Sequence, residues 1–195
     1  MTPHTIYFVR HGETLWNTER RLQGRKDSAL TDAGRAHALE NAVTLAEAVP
    51  DVRALPFVCS PLGRARASMA IIREHLGLAP DGYAIDERLA ELGFGDWEGM
   101  TSREIRSSHP EVWAIYEASR WTHVPPGGES YQQLVARLQD WLAELRGDVV
   151  VVAHGAVGRT LRGLNLRVPL AEIPTSNTPE HNRVYRLANG TEATL

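Results

Sequence analysis

The run DVVVVAHG, residues 148–155, restricts the folds open to this chain more than any other stretch. Four consecutive valines put β-branched side chains on both faces of an extended strand, so both faces must be covered. Such a strand belongs inside a mostly parallel sheet with helices packed on each side. Neighbouring segments fit that frame. TIYFV at 5–9 and ALPFV at 54–58 read as further strands, and RVYRL at 183–187 as a late one. Between them lie helical stretches. Residues 32–48 are Ala-rich with Thr31 or Asp32 as cap, and SPLGRARASMAIIREHLG carries Pro61 near its first turn. Residues 101–119 read as helix interrupted at His109-Pro110, and 156–164 form a short helix after the valine strand. In 128–146, Leu134, Leu138, Trp141, Leu142 and Leu145 recur at helical spacing. No repeat or linker divides the 195 residues, a length that suits one domain.

The totals remove several function classes. A net charge of −3 gives no general basic field for nucleic acid or an anionic membrane, so any anion site must be built locally. No apolar run approaches the roughly 20 residues of a membrane span. The start, MTPHTIYFV, lacks a basic region followed by a long apolar segment, and Cys59 is the single cysteine, so no internal disulfide can form. The cytoplasm is the expected compartment.

Three of the strands end in similar chemistry: FVRHG at 8–12, VCSPLGR at 58–64 and VVAHG at 151–155. In open α/β sheets, ligands bind beyond the carboxyl ends of the strands. If these strands are parallel neighbours, Arg10, His11, Arg64 and His154 meet at one sheet edge with no obvious acid beside them. Arginine's planar fork matches phosphate oxygens. Gly12 and Gly155, one after each histidine, would let backbone N–H groups approach an anion, and a helix starting there would aim its N-terminus at it. A single Arg-His or His-Gly at a strand end is usually only a capped terminus; the repetition points to a site. Metal binding is the competing reading, but adjacent arginines repel cations and no ligand spacing such as HxxxH is present.

FVRHGET, followed by LWN, LQGRKDSALTDAG, SPLGRARAS, ELGFGDWEG, PPGGES and VVAHGAVGRTL, resembles the histidine phosphatase superfamily, which includes the phosphoglycerate mutases. The matching segments fall in family order from about residue 6 to 162. The resemblance implies a three-layer α/β/α sandwich with a mostly parallel central sheet. It also implies that His11 is a nucleophile forming a phosphohistidine. Arg10, Arg64 and His154 would cradle the phosphoryl group with the backbone N–H of Ala156, and Asn17 would reach the same phosphate. Gln23 and Gly24 fall in a segment that lines the substrate pocket in this family. Glu87, Glu91, Asp96 and Glu98 are all candidates for the acid/base by composition; the match of ELGFGDWEG selects Glu91. Glu13 and Glu129 are as easily explained by loop and helix-start roles. Trp16 and Trp97 are the tryptophans expected at the pocket wall. No metal or other cofactor is expected if the arginines supply the positive charge. The expected partner is a small phosphorylated metabolite, with a homodimer as the family habit.

Three rivals remain. A cysteine-dependent phosphatase needs Cys-x5-Arg, but position 65 is Ala65, between Arg64 and Arg66. A mutase needs extra cations for a second anionic group, yet the 100–126 region holds no Arg-Arg pair, although Arg103, Arg106 and Arg120 could touch substrate. A catalytically silent phosphate-binding module is the alternative from a different class. Phosphomonoester hydrolysis is the better reading, with the alcohol selected by segments 100–128 and 165–182. One departure from the family pattern stands out: Ala67-Ser68 occupies a position where Gln-Thr is common.

Overall fold

The computed structural model describes residues 4–195. Six strands form one mixed sheet: β1 (Ile6–Arg10), β2 (Phe57–Cys59), β3 (Ala84–Ile85), β4 (Val149–Ala153), β5 (Val184–Ala188) and β6 (Thr191–Thr194). Their order is β3-β2-β4-β1-β5-β6. β1, β2 and β4 are parallel neighbours, and β3 extends the parallel set, whereas β5 and β6 close the other side antiparallel. The valine strand therefore lies inside the sheet, as its double-faced apolar pattern requires. Among the described residues, seven helices accompany it: α1 (Leu15–Thr18), α2 (Asp32–Ala48), α3 (Gly63–His75), α4 (Ser102–Ser108), α5 (Pro110–Ala118), α6 (Tyr131–Glu144) and α7 (Gly155–Leu166).

The alternation of β4 divides the interior into two layers. Val149, Val151 and Ala153 pack with Phe8 of β1 against Leu134 and Leu138 of α6 and Val157 and Leu161 of α7. Val150 and Val152 face the other way, with Val9 and Cys59, onto Leu45 of α2 and Met69 and Ile72 of α3. Each such side chain, fully buried, contributes about 1.5–3 kcal/mol through the hydrophobic effect. The result is the three-layer α/β/α arrangement. A third, smaller cluster, Trp97, Ile105, Trp113 and Tyr116, holds α4 and α5 beside the sheet's carboxyl edge. None of the described helices is long and apolar enough to cross a membrane.

Local signals explain most boundaries. Thr31 caps α2 by accepting from Gly34 N–H, and Ser130 and Thr101 each form reciprocal capping boxes at α6 and α4. His109 is the break between α4 and α5, with Pro110 in the first turn of the second helix. Two expectations shift, and a third is made definite. Residues 54–56 are not strand: Val52–Ala54 is a 3₁₀ turn and pairing begins at Phe57. Pro61 lies near the first turn of α3, one residue before its cap Leu62. Residues 128–130 precede α6 instead of opening it.

Candidate active site

The register of β1 and β4 sets Arg10 opposite Ala153, and His11 N–H donates to the Ala153 carbonyl at 2.9 Å. Ser60, just after β2, donates its N–H to Val152 at 3.0 Å. The three strand ends are thus tied together, and Arg10, His11, Arg64 and His154 gather at one edge. The His11 and His154 rings lie 5.1 Å apart.

His11 is 2% exposed, and its hydrogen bonds define its tautomer. Nδ1 is 2.8 Å from the Gly12 carbonyl, which can only accept, so Nδ1 carries the proton. Nε2 in turn accepts from Arg64 Nε at 3.3 Å, so it carries no proton, and its lone pair is engaged by that arginine. Burial, reinforced by Arg64, Arg10 and His181, holds the ring's pKa well below the ordinary histidine value. Nε2 is therefore unprotonated at neutral pH.

Arg64 is fully buried but not free of acid, contrary to expectation. Its Nη1 contacts Asp27 at 3.0 Å and the Lys26 carbonyl at 2.6 Å, while Nη2 donates to Gly24 O at 2.9 Å. Asp27 also accepts from Gly63 N–H at 2.6 Å, so one carboxylate fixes the arginine and the start of α3 together. No sequence pattern marked Asp27, because the pairing crosses 37 positions. Arg10 differs: among the described residues it forms no ion pair, Nη1 donates to Pro179 O at 3.0 Å, and its buried Nε has no partner. Burial lowers its pKa to about 10, with the nearby Glu91 opposing that shift. His154 is also buried. Nε2 lies 2.6 Å from Ser60 Oγ, and Nδ1 has no partner. A Ser60 hydroxyl donating to Nε2 leaves Nδ1–H as a free donor. Burial, Arg64 and His11 keep this ring neutral as well.

Glu91 closes the opposite side. Its carboxylate accepts from Leu92 N–H at 2.9 Å and, with both oxygens, from Ala156 N–H at 3.2 Å. The Ala156 amide expected to face a phosphate is engaged by this carboxylate. Gly155 fits between the two groups: a Cβ there would lie 3.6 Å from both Arg10 Nε and Glu91 Oε2. Gly12 has another reason to be glycine. A Cβ would stand 2.0 Å from the Gly34 carbonyl of α2, and its N–H donates to Ser68 Oγ at 3.0 Å instead of serving an anion.

The remaining sequence candidates separate. Asn17 accepts from Thr14 N–H at 3.1 Å as a capping partner. Gln23 is buried with Oε1 unpartnered, and Gly24 occupies the left-handed region at φ +53. Glu98 braces that loop through Arg25 N–H at 2.8 Å, and Glu13 accepts from Thr31 Oγ1 at 2.9 Å. Glu129 is held by Arg137 at 2.7 Å. Trp97 is not at the pocket wall but 2% exposed within the aromatic cluster, because it fills the space behind Trp113, whose ring does line the cavity; Trp16 packs near Gly99 instead. Cys59 is buried and burial pushes its thiol far up, which removes it as a nucleophile. His181 was not anticipated: its Nδ1–H donates to the His11 carbonyl at 2.5 Å, and its ring stacks on His37 at 6.0 Å. Among the described residues no group of three His, Cys, Asp or Glu side chains is placed to hold a metal.

A neutral imidazole beside two arginines, facing a carboxyl group, can accept a phosphoryl group and have protons moved for it. The sequence profile of the histidine phosphatase superfamily (branch 1) matches residues 6–189. The chain belongs to this superfamily. Among its relatives, a glucosyl-3-phosphoglycerate phosphatase of Mycobacterium tuberculosis is 32% identical over 188 residues, covering 89% of this chain and 80% of the relative. A probable phosphoglycerate mutase of Erwinia tasmaniensis is 34% identical over 139 residues, covering 70% of this chain and 60% of its own length. The structure of a mycobacterial glucosyl-3-phosphoglycerate phosphatase with inorganic phosphate superimposes with a TM-score of 0.77 at 30% identity, covering 94% of this chain and 88% of that one. As a histidine phosphatase superfamily member, the chain is an enzyme of the phosphatase and phosphoglycerate mutase-like group.

Proposed function

We propose that the protein hydrolyses phosphomonoesters through a phosphohistidine on His11, without a metal. The observation that carries this reading is an unprotonated Nε2 on His11 surrounded by donors that lack acceptors, Arg10 Nε and His154 Nδ1. Buried donors without partners are costly, and a phosphoryl group supplies the missing oxygens. The phosphate complex of the mycobacterial relative supports the same ligand chemistry.

In the first step the Nε2 lone pair attacks phosphorus. The bond from phosphorus to the ester oxygen breaks, and its electron pair leaves with the alcohol, which takes a proton from the Glu91 carboxylic acid. In the second step water attacks the phosphohistidine and gives a proton to the Glu91 carboxylate. The P–N bond breaks, and its electrons return to Nε2. Arg10, Arg64 and His154 hold the three transferring oxygens throughout, where positioning and charge stabilisation dominate. Ala156 N–H joins them once the Glu91 carboxyl releases it.

Hydrolysis of p-nitrophenyl phosphate in excess EDTA, with His11→Ala alongside, tests this. Turnover should survive chelation and fall by about 10³-fold or more in the variant, the scale expected when a nucleophile is removed. Equal turnover in both proteins would dismiss His11. A mutase reading draws on the Erwinia relative; it would be favoured if the wild type were inert towards the ester but exchanged phosphoryl groups after priming with a bisphosphate.

A further inference from the structure

Two polar residues interrupt the inward face of α2, which is otherwise built from Ala38, Ala42 and Leu45. Asn41 is fully buried, and its Oδ1 has no partner. His37, one turn earlier, has its Nδ1 buried without a partner as well. Burying such groups costs stability, and apolar side chains there would avoid that cost. What both touch is His181. Asn41 Nδ2 donates to the His181 carbonyl at 2.8 Å, and the His37 ring stacks on that of His181 with 9° between their planes. α2 therefore fixes both the main chain and the ring of this one residue.

His181 uses the fixed ring to hold the main chain of the nucleophile. The pairing of β1 with β4 ends at Arg10, and past it the His11 N–H still donates to Ala153. The peptide joining His11 to Gly12 is gripped at both of its polar atoms. Its carbonyl accepts from His181 Nδ1–H at 2.5 Å, and its N–H donates to Ser68 Oγ at 3.0 Å. This grip bears on the imidazole, because the next carbonyl along, that of Gly12, is the acceptor for His11 Nδ1. A peptide turns as a rigid plane, so rotating this one would carry the Gly12 carbonyl away from the ring. Glycine itself offers little resistance to such a turn. His181 also supplies its donor without charge: burial, and then Arg10, lower its pKa to about 4. A cationic donor in its place would add repulsion beside Arg10.

We propose that His181 is a positioning residue for phosphoryl transfer: with Ser68 it clamps the His11–Gly12 peptide, keeping His11 Nδ1–H on the Gly12 carbonyl and Nε2 towards phosphorus. The inference rests on the hydrolase reading and adds to it a residue that acts only through His11.

The alternative is a strut that merely joins α2 to β1. His181→Asn and His181→Leu separate the two, because asparagine offers an amide N–H at the δ position of the lost ring nitrogen and leucine offers none. Hydrolysis of p-nitrophenyl phosphate is measured for each, with inorganic phosphate as competing inhibitor. In His181→Leu, kcat should fall about 10- to 100-fold, between the loss of one hydrogen bond and a displacement of about 1 Å at the nucleophile. Inhibition by phosphate should stay close to that of the wild type, since Arg10, Arg64 and His154 are untouched. His181→Asn should recover most of kcat. Nitrogen NMR should show His11 as the Nδ1–H tautomer in the wild type and His181→Asn, but as mixed tautomers in His181→Leu. A strut would lower both variants' activity in step with their melting temperatures and leave the His11 tautomer alone, and that result overturns the inference. If His181→Leu does not fold, the wild type decides: His181 must carry its proton on Nδ1, and the Nε2–H tautomer overturns the clamp. Undiminished turnover in His181→Leu does the same while leaving hydrolysis intact. No turnover by the wild type defeats the hydrolase reading, and this inference with it.

Discussion

A histidine that attacks phosphorus must be neutral and must keep its proton on the nitrogen that does not attack. For His11 the Gly12 carbonyl and Arg64 Nε impose both conditions at once, one as obligate acceptor and the other as obligate donor. Nitrogen NMR of histidine-labelled protein should therefore show His11 as the Nδ1–H tautomer, still uncharged at a pH just below the ordinary histidine value of 6.5. A doubly protonated ring at that pH would contradict the assignment. The direction is clear, because burial and two cations all lower the pKa. The residue types at this site were legible from the chain because His-Gly recurs at two strand ends, with Arg10 before one and Arg64 after a third. Their partners were not. Asp27 and Ser60 lie inside the family-like segments LQGRKDSALTDAG and SPLGRARAS, but nothing local names the partners they take on folding, and His181 lies outside every such segment.

At the level of elements, α7 carries the most constraint. Gly158 brings it against β1 so closely that a Cβ would stand 2.3 Å from the Phe8 ring, in a fully buried position, and 2.8 Å from Pro179. Gly158→Ala should cost about 1–3 kcal/mol, the usual range for overpacking a core. It should also lower turnover, because Pro179 supplies the carbonyl that holds Arg10. A melting temperature equal to that of the wild type would mean that helix and strand do not meet in this way. Long elements with strong periodicity or caps, such as α2 behind Thr31 and the β4 valines, were readable in advance. Short ones escaped. β3 is two exposed residues, and β6 is TEAT, polar and mostly exposed, so neither carries a burial pattern to detect. Residues 54–56, the end of the 3₁₀ turn and the two residues after it, read as strand because Ala-Leu-Pro-Phe-Val is apolar throughout, and only pairing separates its two halves.

Across the whole molecule, three histidines are kept neutral by burial: His11, His154 and His181, the last with its pKa lowered to about 4. In the unfolded chain each titrates near 6.5. Below that pH the unfolded state binds protons that the native state excludes, so stability is greatest above 6.5 and falls as pH drops towards 4. His181 alone accounts for a loss on the order of 3 kcal/mol across this window. Urea unfolding at several pH values should show this decline, and His181→Asn, which retains an N–H donor, should reduce it while His11 and His154 keep the rest. A stability that is level from pH 7 to 5 would rule out neutral burial of these rings. Glu129 and Asp86, whose pKa values are lowered, contribute stability that is lost only as pH falls from the ordinary carboxylate range through their lowered values. The sheet and its two helical layers follow from pattern, while the aromatic cluster around Trp97 and Trp113 comes from a segment without strong periodicity. That division has a consequence for how such an enzyme can change. The phosphoryl end is anchored to strands whose register any alteration would disturb. The 100–120 segment, by contrast, stands on its own small core beside the sheet. On the proposed mechanism, variation there would exchange one alcohol for another while the step at His11 is inherited intact.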